Sequence, residues 1–439
     1  MIKPLIFIGA ALLTALQSHA QEAWTLQRCI SHALEHNLTI KQQEDNVKQQ
    51  EISLNTSRSQ RLPSLNGSAG ESFSFGRALT IDNTYANRNT QNTSFGLSTD
   101  VPIFTGGQIY YDIQVKNLNL QATLADLDKA RESVALNVIS AYLEAVYQKD
   151  LVTVAEKQVE LSKAQTRRMQ ILFDNKKIAE ADLAQIRTAQ ANDELSLTQQ
   201  QNQYTLALLT LSQLLELSTP DGFDVTRPEV GDASQAVLPL PDAIFADAMG
   251  IKPQIKAEEL RVKSAEKSIL LAKSGYYPSI RLGAGLGTSY YKSNGIIGPK
   301  FGQQMKDNFN QYLSLNLSVP IFNRFQTRNS VRSARLNLHN QQLQMEQTKK
   351  SLYKEIQQAY YNAIASQKQC QSSATALESS RTSFKLMEAK YEHGKANATE
   401  YQDAKTQLFK AESTALQAQY TFIFRKKILE FYRGNTEDL

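Results

Sequence analysis

Most of the chain carries apolar residues at helical spacing, but four short stretches alternate apolar and polar residues instead. In LSLNLSVPIF, Leu313 to Phe322, the odd positions are apolar, and the even positions from Ser314 to Ser318 are small and polar. Successive side chains of a β-strand point to opposite faces of a sheet. The stretch therefore predicts a strand with one apolar face. The same alternation predicts strands near residues 64–75, 94–104, 279–290 and 311–322.

One unit occurs twice along the sequence. The strand end VPIF at 101–104 returns at 319–322, a shift of 218 residues, and the same shift aligns Asp182 with Glu400. Upstream of the strands the shift is 215 residues. Agreement over so much of the chain predicts an internal duplication.

Each unit has the order short helix, second helix, strand pair, long helix and shorter helix. The pattern places the first unit at 21–216 and the second at 241–439, and the Pro/Asp/Gly-rich segment 217–240 predicts a linker or small side domain. Helical pattern from about 108 to 173 corresponds to a rod of about 100 Å, too long for a globular core. The expected fold class is therefore mainly α with a small β part.

The first twenty residues differ from the rest. Lys3 precedes an apolar run from Leu5 to Leu16, and Ser18-His19-Ala20 resembles a cleavage site, so residues 1–20 predict a secretory signal peptide. No Cys follows the predicted cut, so no lipid attachment is expected there. No later stretch reaches the roughly 18 to 20 apolar residues of a spanning helix. The mature chain is therefore expected to be soluble or to enter a membrane through strands.

Charge and motifs exclude several functions. The formal net charge of +5 comes from 48 basic and 43 acidic residues spread along the chain, without the basic block typical of nucleic-acid binding. His32 and His36 have the spacing of two zinc ligands, but no Glu follows His32, and surface placement is the better interpretation. No phosphate-binding loop or nucleophile motif occurs. We therefore predict no catalytic residues, no metal, no cofactor, no enzyme activity and no nucleic-acid partner.

The two cysteines do not form a disulfide framework. Cys29 and Cys370 are far apart in sequence, and their counterparts in the other unit are Ile244 and Val152. Free Cys behaves as a small hydrophobic residue when buried. We therefore expect both to be packing residues.

Two explanations fit four alternating strands. A sheet packed on a soluble core alternates in the same way as the wall of a transmembrane barrel. The signal peptide, the duplication, the long polar loops and aromatic residues near the strand ends favour the barrel. Four strands cannot close in lipid. Two chains would give eight strands with a filled interior and three would give twelve with a lumen, so a trimer is expected for a pore.

At this point the order of elements and the repeated VPIF strand end resemble the TolC family of outer-membrane efflux proteins, over essentially all of the mature chain. The resemblance implies a homotrimer with a twelve-stranded barrel in the outer-membrane lipid and an α-helical barrel in the periplasm. It implies a passive exit duct of a tripartite efflux or type I export system. It also implies two partners, a periplasmic adaptor protein and an inner-membrane pump of the RND or ABC type.

The resemblance also implies a gate at the periplasmic tip, in the turn KYEHGKANATEYQDA at 390–404. Tyr391, Gly394, Glu400 and Asp403 match the family's Tyr, Gly and two acidic positions. In a trimer the two acidic positions would make two stacked carboxylate rings that attract cations. Asp182 matches an acidic residue that bonds the gate Tyr in the family, which implies a hydrogen bond from Tyr391 to Asp182 that holds the tip closed.

The sequence departs from the family pattern at two positions. Ala396 stands where an Arg is usual, and the adjacent Lys395 is a candidate substitute. Lys176 stands where Gly is usual in the first unit, which leaves Asn175 as the residue expected to adopt a left-handed conformation. An alternative explanation for the acidic residues is ordinary first-turn charge, which the helix dipole favours.

Two non-enzymatic alternatives stay open. A periplasmic adaptor also has long amphipathic helices, but it needs a compact β-rich domain between them. A coiled-coil scaffold would show sustained heptads and would leave the strands without a purpose. The transported substrate is not determined by the sequence.

Overall fold

The structure, a computed structural model, describes residues 23–79, 83–219, 222–227 and 237–434, and these are mostly helical, as predicted. The predicted signal peptide, 1–20, and part of the predicted linker lie outside the described residues. The helices are α1 Leu26–His36, α2 Leu38–Ser59, α3 Gln108–Asp174, α4 Glu180–Leu214, α5 Pro241–Ile251, α6 Pro253–Lys273, α7 Phe301–Asp307, α8 Gln326–Glu392 and α9 Ala398–Tyr432. The strands are β1 Ser64–Ser74, β2 Arg77–Leu79, β3 Tyr85–Asn87, β4 Thr90–Phe104, β5 Ser279–Ser293 and β6 Asn310–Ser318. Among the described helices, none is both long and apolar enough to cross a membrane.

The chain divides into two compact units. One contains the described residues of Met1–Asp45, Asp126–Ile255 and Thr348–Leu439, and the other contains Asn46–Ala125 and Lys256–Gln347. Each unit therefore draws segments from both halves of the sequence. We call the first the helical unit and the second the sheet unit.

The sheet unit contains a four-stranded antiparallel sheet in the order β1-β4-β5-β6. Its register brings several apolar residues together: Leu97 faces Leu286, and Leu282 faces Leu315. On the other side of the sheet Gly96 faces both Ser68 and Gly287. Because side chains alternate along each strand, the sheet has one apolar face and one face of small and polar residues. This is the arrangement that the alternation predicts.

The last strand is shorter than predicted. Residues 319–322 were expected to extend it, but β6 ends at Ser318. Ser318 is opposite Ser279, the first residue of β5, so the VPIF segment here has no partner on that strand. The equivalent segment at the end of β4 is a strand because β5 continues alongside it, with Val101 opposite Leu282. The same tetrapeptide thus differs in structure because only one copy has a ladder partner.

The polar loops contain structure that the sequence did not predict. β2 and β3 form a small hairpin within the loop between β1 and β4, and α7 lies in the loop between β5 and β6. The Gln304 side chain accepts a hydrogen bond from Tyr291 N and donates one to Tyr291 O, both at 3.0 Å. Asn308 Nδ2 donates to Ser289 O at 2.6 Å. These amides satisfy the backbone of β5 beyond Gly287, where its pairing with β6 ends.

The helical unit contains an apolar core formed by helices of the second half of the chain. One buried cluster joins α5, α6, α8 and α9 and consists of Ile244, Ala248, Ile255, Leu352, Ile356, Ala359, Ala363 and Leu429. Cys29 is fully buried on α1 at the position equivalent to Ile244, and burial raises the pKa of its thiol to about 12. A thiol of such a high pKa stays neutral at pH 7 and unreactive. Cys29 thus has the environment of the packing residue that the sequence predicts.

Candidate functional site at the tips of the helical hairpins

Two hairpins of equal length end in the turns that the family resemblance implicates. The first hairpin is α3 and α4, of 67 and 35 residues, and the second is α8 and α9, also of 67 and 35 residues. Lys176 and Gly394 occupy equivalent positions in the two turns, with φ of 57° and 67°. The expectation that Asn175 would be the left-handed residue is wrong. Asn175 instead uses its side chain to donate to Ile171 O at 2.7 Å.

The acidic residues of the two turns cap helices. Glu400 Oε2 accepts a hydrogen bond from Asn397 N at 2.9 Å, while Asn397 Oδ1 accepts one from Glu400 N at 2.8 Å. This is a reciprocal capping box. In the first hairpin Asp182 Oδ2 accepts from Ala179 N at 3.3 Å. Within one chain, therefore, Glu400 and Asp182 have the contacts of first-turn helix charges. Asp403, on α9 with Glu400, is exposed.

Tyr391 lies in an aromatic cluster. Its ring stacks on Tyr401 with centroids 4.7 Å apart, and Tyr401 also contacts Phe384 at 5.6 Å. The Tyr391 hydroxyl lies 3.5 Å from the Met169 sulfur. Within the chain the Tyr391 hydroxyl contacts Met169 and not Asp182, whose carboxylate caps α4, so the expected hydrogen bond from Tyr391 to Asp182 is not formed. Burial raises the pKa of both tyrosines, so both hydroxyls stay neutral.

An ion pair joins the two hairpins beside the contact of Tyr391 with Met169. Arg168 on α3 lies 3.4 Å from the Glu392 carboxylate and donates to Glu392 O at 3.3 Å. A second contact is Gln185 Nε2 to Thr399 Oγ1, at 3.4 Å. In the described chain it is thus Arg168, rather than Lys395, that supplies a cation between the hairpins near Ala396.

These contacts define a stagger between the hairpins. Glu392 is the last residue of α8, whereas Arg168 lies six residues before the end of α3 at Asp174. At 1.5 Å per residue, the turn of the first hairpin extends about 9 Å beyond the turn of the second. The contact of Gln185 with Thr399 gives an offset of about 6 Å in the same direction, because Thr399 is one residue past the start of α9 and Gln185 is five residues past the start of α4.

Sequence reasoning missed Arg168 and Tyr401. A partial signal for the aromatic cluster was present, since Phe384 and Tyr391 are seven residues apart and so share a helix face. Arg168 carried no signal, because its partner Glu392 is 224 residues away in sequence. Only the packing of the hairpins brings these two together.

Comparison with known proteins identifies the group to which this architecture belongs. The profile of the family described as outer membrane efflux protein matches residues 29–216 and 246–424, more than half of the chain. The chain belongs to the outer membrane efflux protein family. The predicted resemblance and the predicted outer-membrane location are thus confirmed. This is a family of outer-membrane channel proteins for efflux and not an enzyme family.

The relatives are distant. An uncharacterized protein of Haemophilus influenzae is 23% identical over 60% of this chain and 56% of its own, so the match spans little more than half of that relative. The probable outer membrane lipoprotein SilC of Salmonella typhimurium is 21% identical over 94% of this chain and 87% of its own. The crystal structure of the Campylobacter jejuni CmeC outer membrane channel has a TM-score of 0.77 at 18% identity, covering 93% of this chain and 85% of that chain. That likeness shows a shared fold.

Proposed function

We propose that three copies of this efflux-family chain form a passive exit duct across the outer membrane. The observation that carries the proposal is the exposed apolar face of the sheet. On β6 the side chains of Leu313, Leu315 and Leu317 are 76%, 69% and 64% exposed in a single chain. Exposure of such an apolar surface to water is unfavourable, whereas lipid covers it without the loss of any hydrogen bond.

The free edges of the sheet support a trimer. Among the described strands, β1 pairs only with β4 and β6 pairs only with β5. In lipid each unpaired backbone group would cost several kcal/mol, so the edges must pair with other copies. Three chains supply twelve strands, enough to enclose a lumen. The polar face would line that lumen, where Arg281 and Asp100 pair at 3.0 Å across β5 and β4.

In this proposal the chain begins with a cleaved signal peptide at 1–20, followed by the repeats 21–216 and 241–439 and their linker 217–240. The paired long helices form the periplasmic tunnel. The energy for transport comes from an inner-membrane pump of the RND or ABC type, as the family resemblance implies. A periplasmic adaptor connects that pump to the helical tips.

The gate lies at the tip of the second hairpin. Tyr391 and Gly394 form the moving turn, and Glu400 and Asp403 form rings of carboxylates that attract cations once three chains surround the axis. Asp182 caps the start of its own helix, α4, and contributes negative charge near Tyr391. The ion pair of Arg168 with Glu392 and the contact of the Tyr391 hydroxyl with the Met169 sulfur support a closed state, because both join the two hairpins and are lost if the second hairpin swings away from the first.

Single-channel conductance in a planar bilayer, with a salt gradient to read ion selectivity, tests the proposal. We expect a small, cation-preferring conductance that rises several-fold in the double variant Arg168→Ala/Tyr391→Ala. The matched control is Arg381→Ala, since Arg381 also pairs with a glutamate, Glu412, at 3.4 Å but within the second hairpin. The control is expected to conduct like the wild type.

Two results would contradict the proposal. Equal conductance of the double variant and the wild type would remove the gate assignment while leaving the duct. A protein that stays soluble without detergent and never inserts would remove the duct as well. The periplasmic adaptor would then be the better interpretation.

A further inference from the structure

A charged cluster lies buried where the two hairpins meet. Lys405 of α9, Asp193 of α4 and Ser162 of α3 are 4%, 7% and 4% exposed. Lys405 Nζ lies 2.5 Å from both Asp193 Oδ2 and Ser162 Oγ. Ser162 also donates to the same Asp193 oxygen. Gln158 of α3 donates to the other Asp193 oxygen at 2.7 Å, so both carboxylate oxygens have donors.

The hydrogen bonds divide unequally between the hairpins. Gln158, Ser162 and Asp193 all belong to the first hairpin, and Lys405 is the single member from the second. If the second hairpin moves, Lys405 therefore leaves and Asp193 keeps its two other donors. The first hairpin thus supplies the carboxylate and its two other donors, and the second hairpin supplies only the Lys405 ammonium group.

Burial of these charges is not a requirement of the hairpin fold. One residue further along α3 and α4, Lys163 and Glu194 pair at 3.3 Å with side chains 52% and 44% exposed. The 218-residue repeat places Ala411 at the position equivalent to Asp193, and Arg187 at that of Lys405. Arg187 donates to Gln170 in an exposed position instead. The second hairpin thus has the same lengths without an equivalent cluster.

A buried ion pair is a weak source of stability, because desolvation offsets most of the attraction. Its best-attested role is to specify register, since apolar surfaces tolerate sliding that a buried charge does not. A slide of one helical turn would move Lys405 by about 5.4 Å and leave Asp193 without its cation. Lys405 is seven residues into α9, about 11 Å from the gate turn.

We propose that Lys405 and Asp193 are positioning residues that lock the stagger of the two hairpins and thereby hold the gate turn in its closed place. This inference rests on the proposed function for its consequence, though the stagger is a property of the chain itself. Movement of α9 away from α4 separates the pair before the tip can open. The pair thus contributes to the free-energy cost of opening.

The test is the double variant Lys405→Met/Asp193→Leu, which replaces the pair with apolar residues of similar volume and so avoids an unpaired buried charge. The matched control is Lys163→Met/Glu194→Leu, which removes an exposed pair at the same level of the helices but within the first hairpin, between α3 and α4. Two properties are measured on each protein. One is basal single-channel conductance, and the other is cross-linking of introduced Gln185→Cys/Thr399→Cys by a short bis-maleimide, in a Cys370→Ser background.

We expect the double variant to keep a melting temperature near that of the wild type, to open about tenfold more often and to lose most of its cross-linking. The factor is what loss of one charge-assisted hydrogen bond supplies. The control is expected to match the wild type in both measurements. A double variant with lower melting temperature but unchanged opening and cross-linking would show a merely structural pair and overturn the inference.

The two measurements separate this inference from the proposed function. Cross-linking is done on the protein in detergent and needs no pore. If no protein conducts, including Arg168→Ala/Tyr391→Ala, the duct is wrong, and cross-linking alone then decides whether the pair locks the stagger. Unchanged cross-linking overturns the inference in that case also.

Discussion

The two helical hairpins have the same backbone at their turns and different side chains. In the first turn Lys177 N donates to Leu172 O at 2.9 Å, and in the second Lys395 N donates to Lys390 O at 2.8 Å. Both are the six-residue bond of a Schellman motif, which requires one left-handed residue. That residue is Lys176 in one hairpin and Gly394 in the other. The shared hydrogen bonds therefore determine the turn, and the side chains determine how much it costs.

A second comparison concerns the residues that end the first helix of each repeat. Asn37 and Lys252 are equivalent, both are buried, and both donate their backbone N–H four residues back, to Ala33 O and Ala248 O. Asn37 Nδ2 donates to Leu214 O at 3.1 Å. Lys252 instead needs a counter-ion and aromatic contact.

Lys252 Nζ lies 3.2 Å from Glu132 and 3.4 Å from the centroid of the Phe431 ring. Burial lowers the pKa of Lys252 and raises that of Glu132. Burial thus disfavours each charged form, and the attraction between Lys252 and Glu132 stabilises both. The residue that ends α1 thus uses a neutral amide and the residue that ends α5 uses a buried ion pair, although both make the same backbone hydrogen bond.

The largest expected effect breaks this comparison. Glu132→Ala leaves Lys252 buried without its carboxylate and is expected to lower the free energy of unfolding by about 3 kcal/mol. Asn37→Ala removes only neutral hydrogen bonds and is expected to cost about 1 to 2 kcal/mol. Thermal unfolding in detergent, followed by circular dichroism, measures both. A smaller loss for Glu132→Ala than for Asn37→Ala would contradict the assignment of Lys252 as a charged buried partner.

A medium effect sharpens the comparison of the turns. Lys176→Gly removes the penalty of a left-handed non-glycine residue and is expected to stabilise by about 1 kcal/mol, less the entropy that glycine adds to the unfolded chain. Gly394→Lys is expected to destabilise by a similar amount. The same melting experiment applies, with Lys177→Gly, one residue beyond the left-handed position, as the control. If both reciprocal changes moved the melting temperature in the same direction, the equivalence of the turns would be wrong.

The smallest expected effect concerns pH and the first helix of each repeat. His32 on α1 contacts Trp24 edge-on at 5.2 Å, and burial together with the neighbouring His36 lowers its pKa. The equivalent residue on α5 is Asp247, which pairs with Arg433 at 3.2 Å.

Because the folded state binds a proton at His32 less readily than the unfolded state, stability is complete above the unfolded pKa of about 6.5 and falls as pH drops through it. The melting temperature of the wild type is expected to fall further below this pH than that of His32→Gln. Fluorescence of Trp24, the only Trp, reports the same site locally. Equal pH dependence of the two proteins would mean that His32 is not the group responsible.

The sequence by itself determined features that follow from a local period or from local backbone geometry. The alternation around Leu313 set the faces of the sheet, because side chains must alternate along a strand whatever surrounds it. Gly394 marked the turn within 390–404, because local backbone geometry favours glycine at a left-handed residue. Asn37 is the C-cap residue of α1, a position at which its residue type is common.

Tertiary structure decided the contacts between distant segments and the outcome of local competition. The VPIF segment at 319–322 has the same letters as 101–104 but no strand beside it, so it is not a strand. The resemblance implies a bond from Tyr391 to Asp182, but in the folded chain Asp182 caps its own helix and the Tyr391 hydroxyl contacts Met169. Arg168 meets Glu392, and Lys405 meets Asp193, across more than 200 residues of sequence. No periodic pattern encodes such pairs, since they depend on the stagger of whole helices.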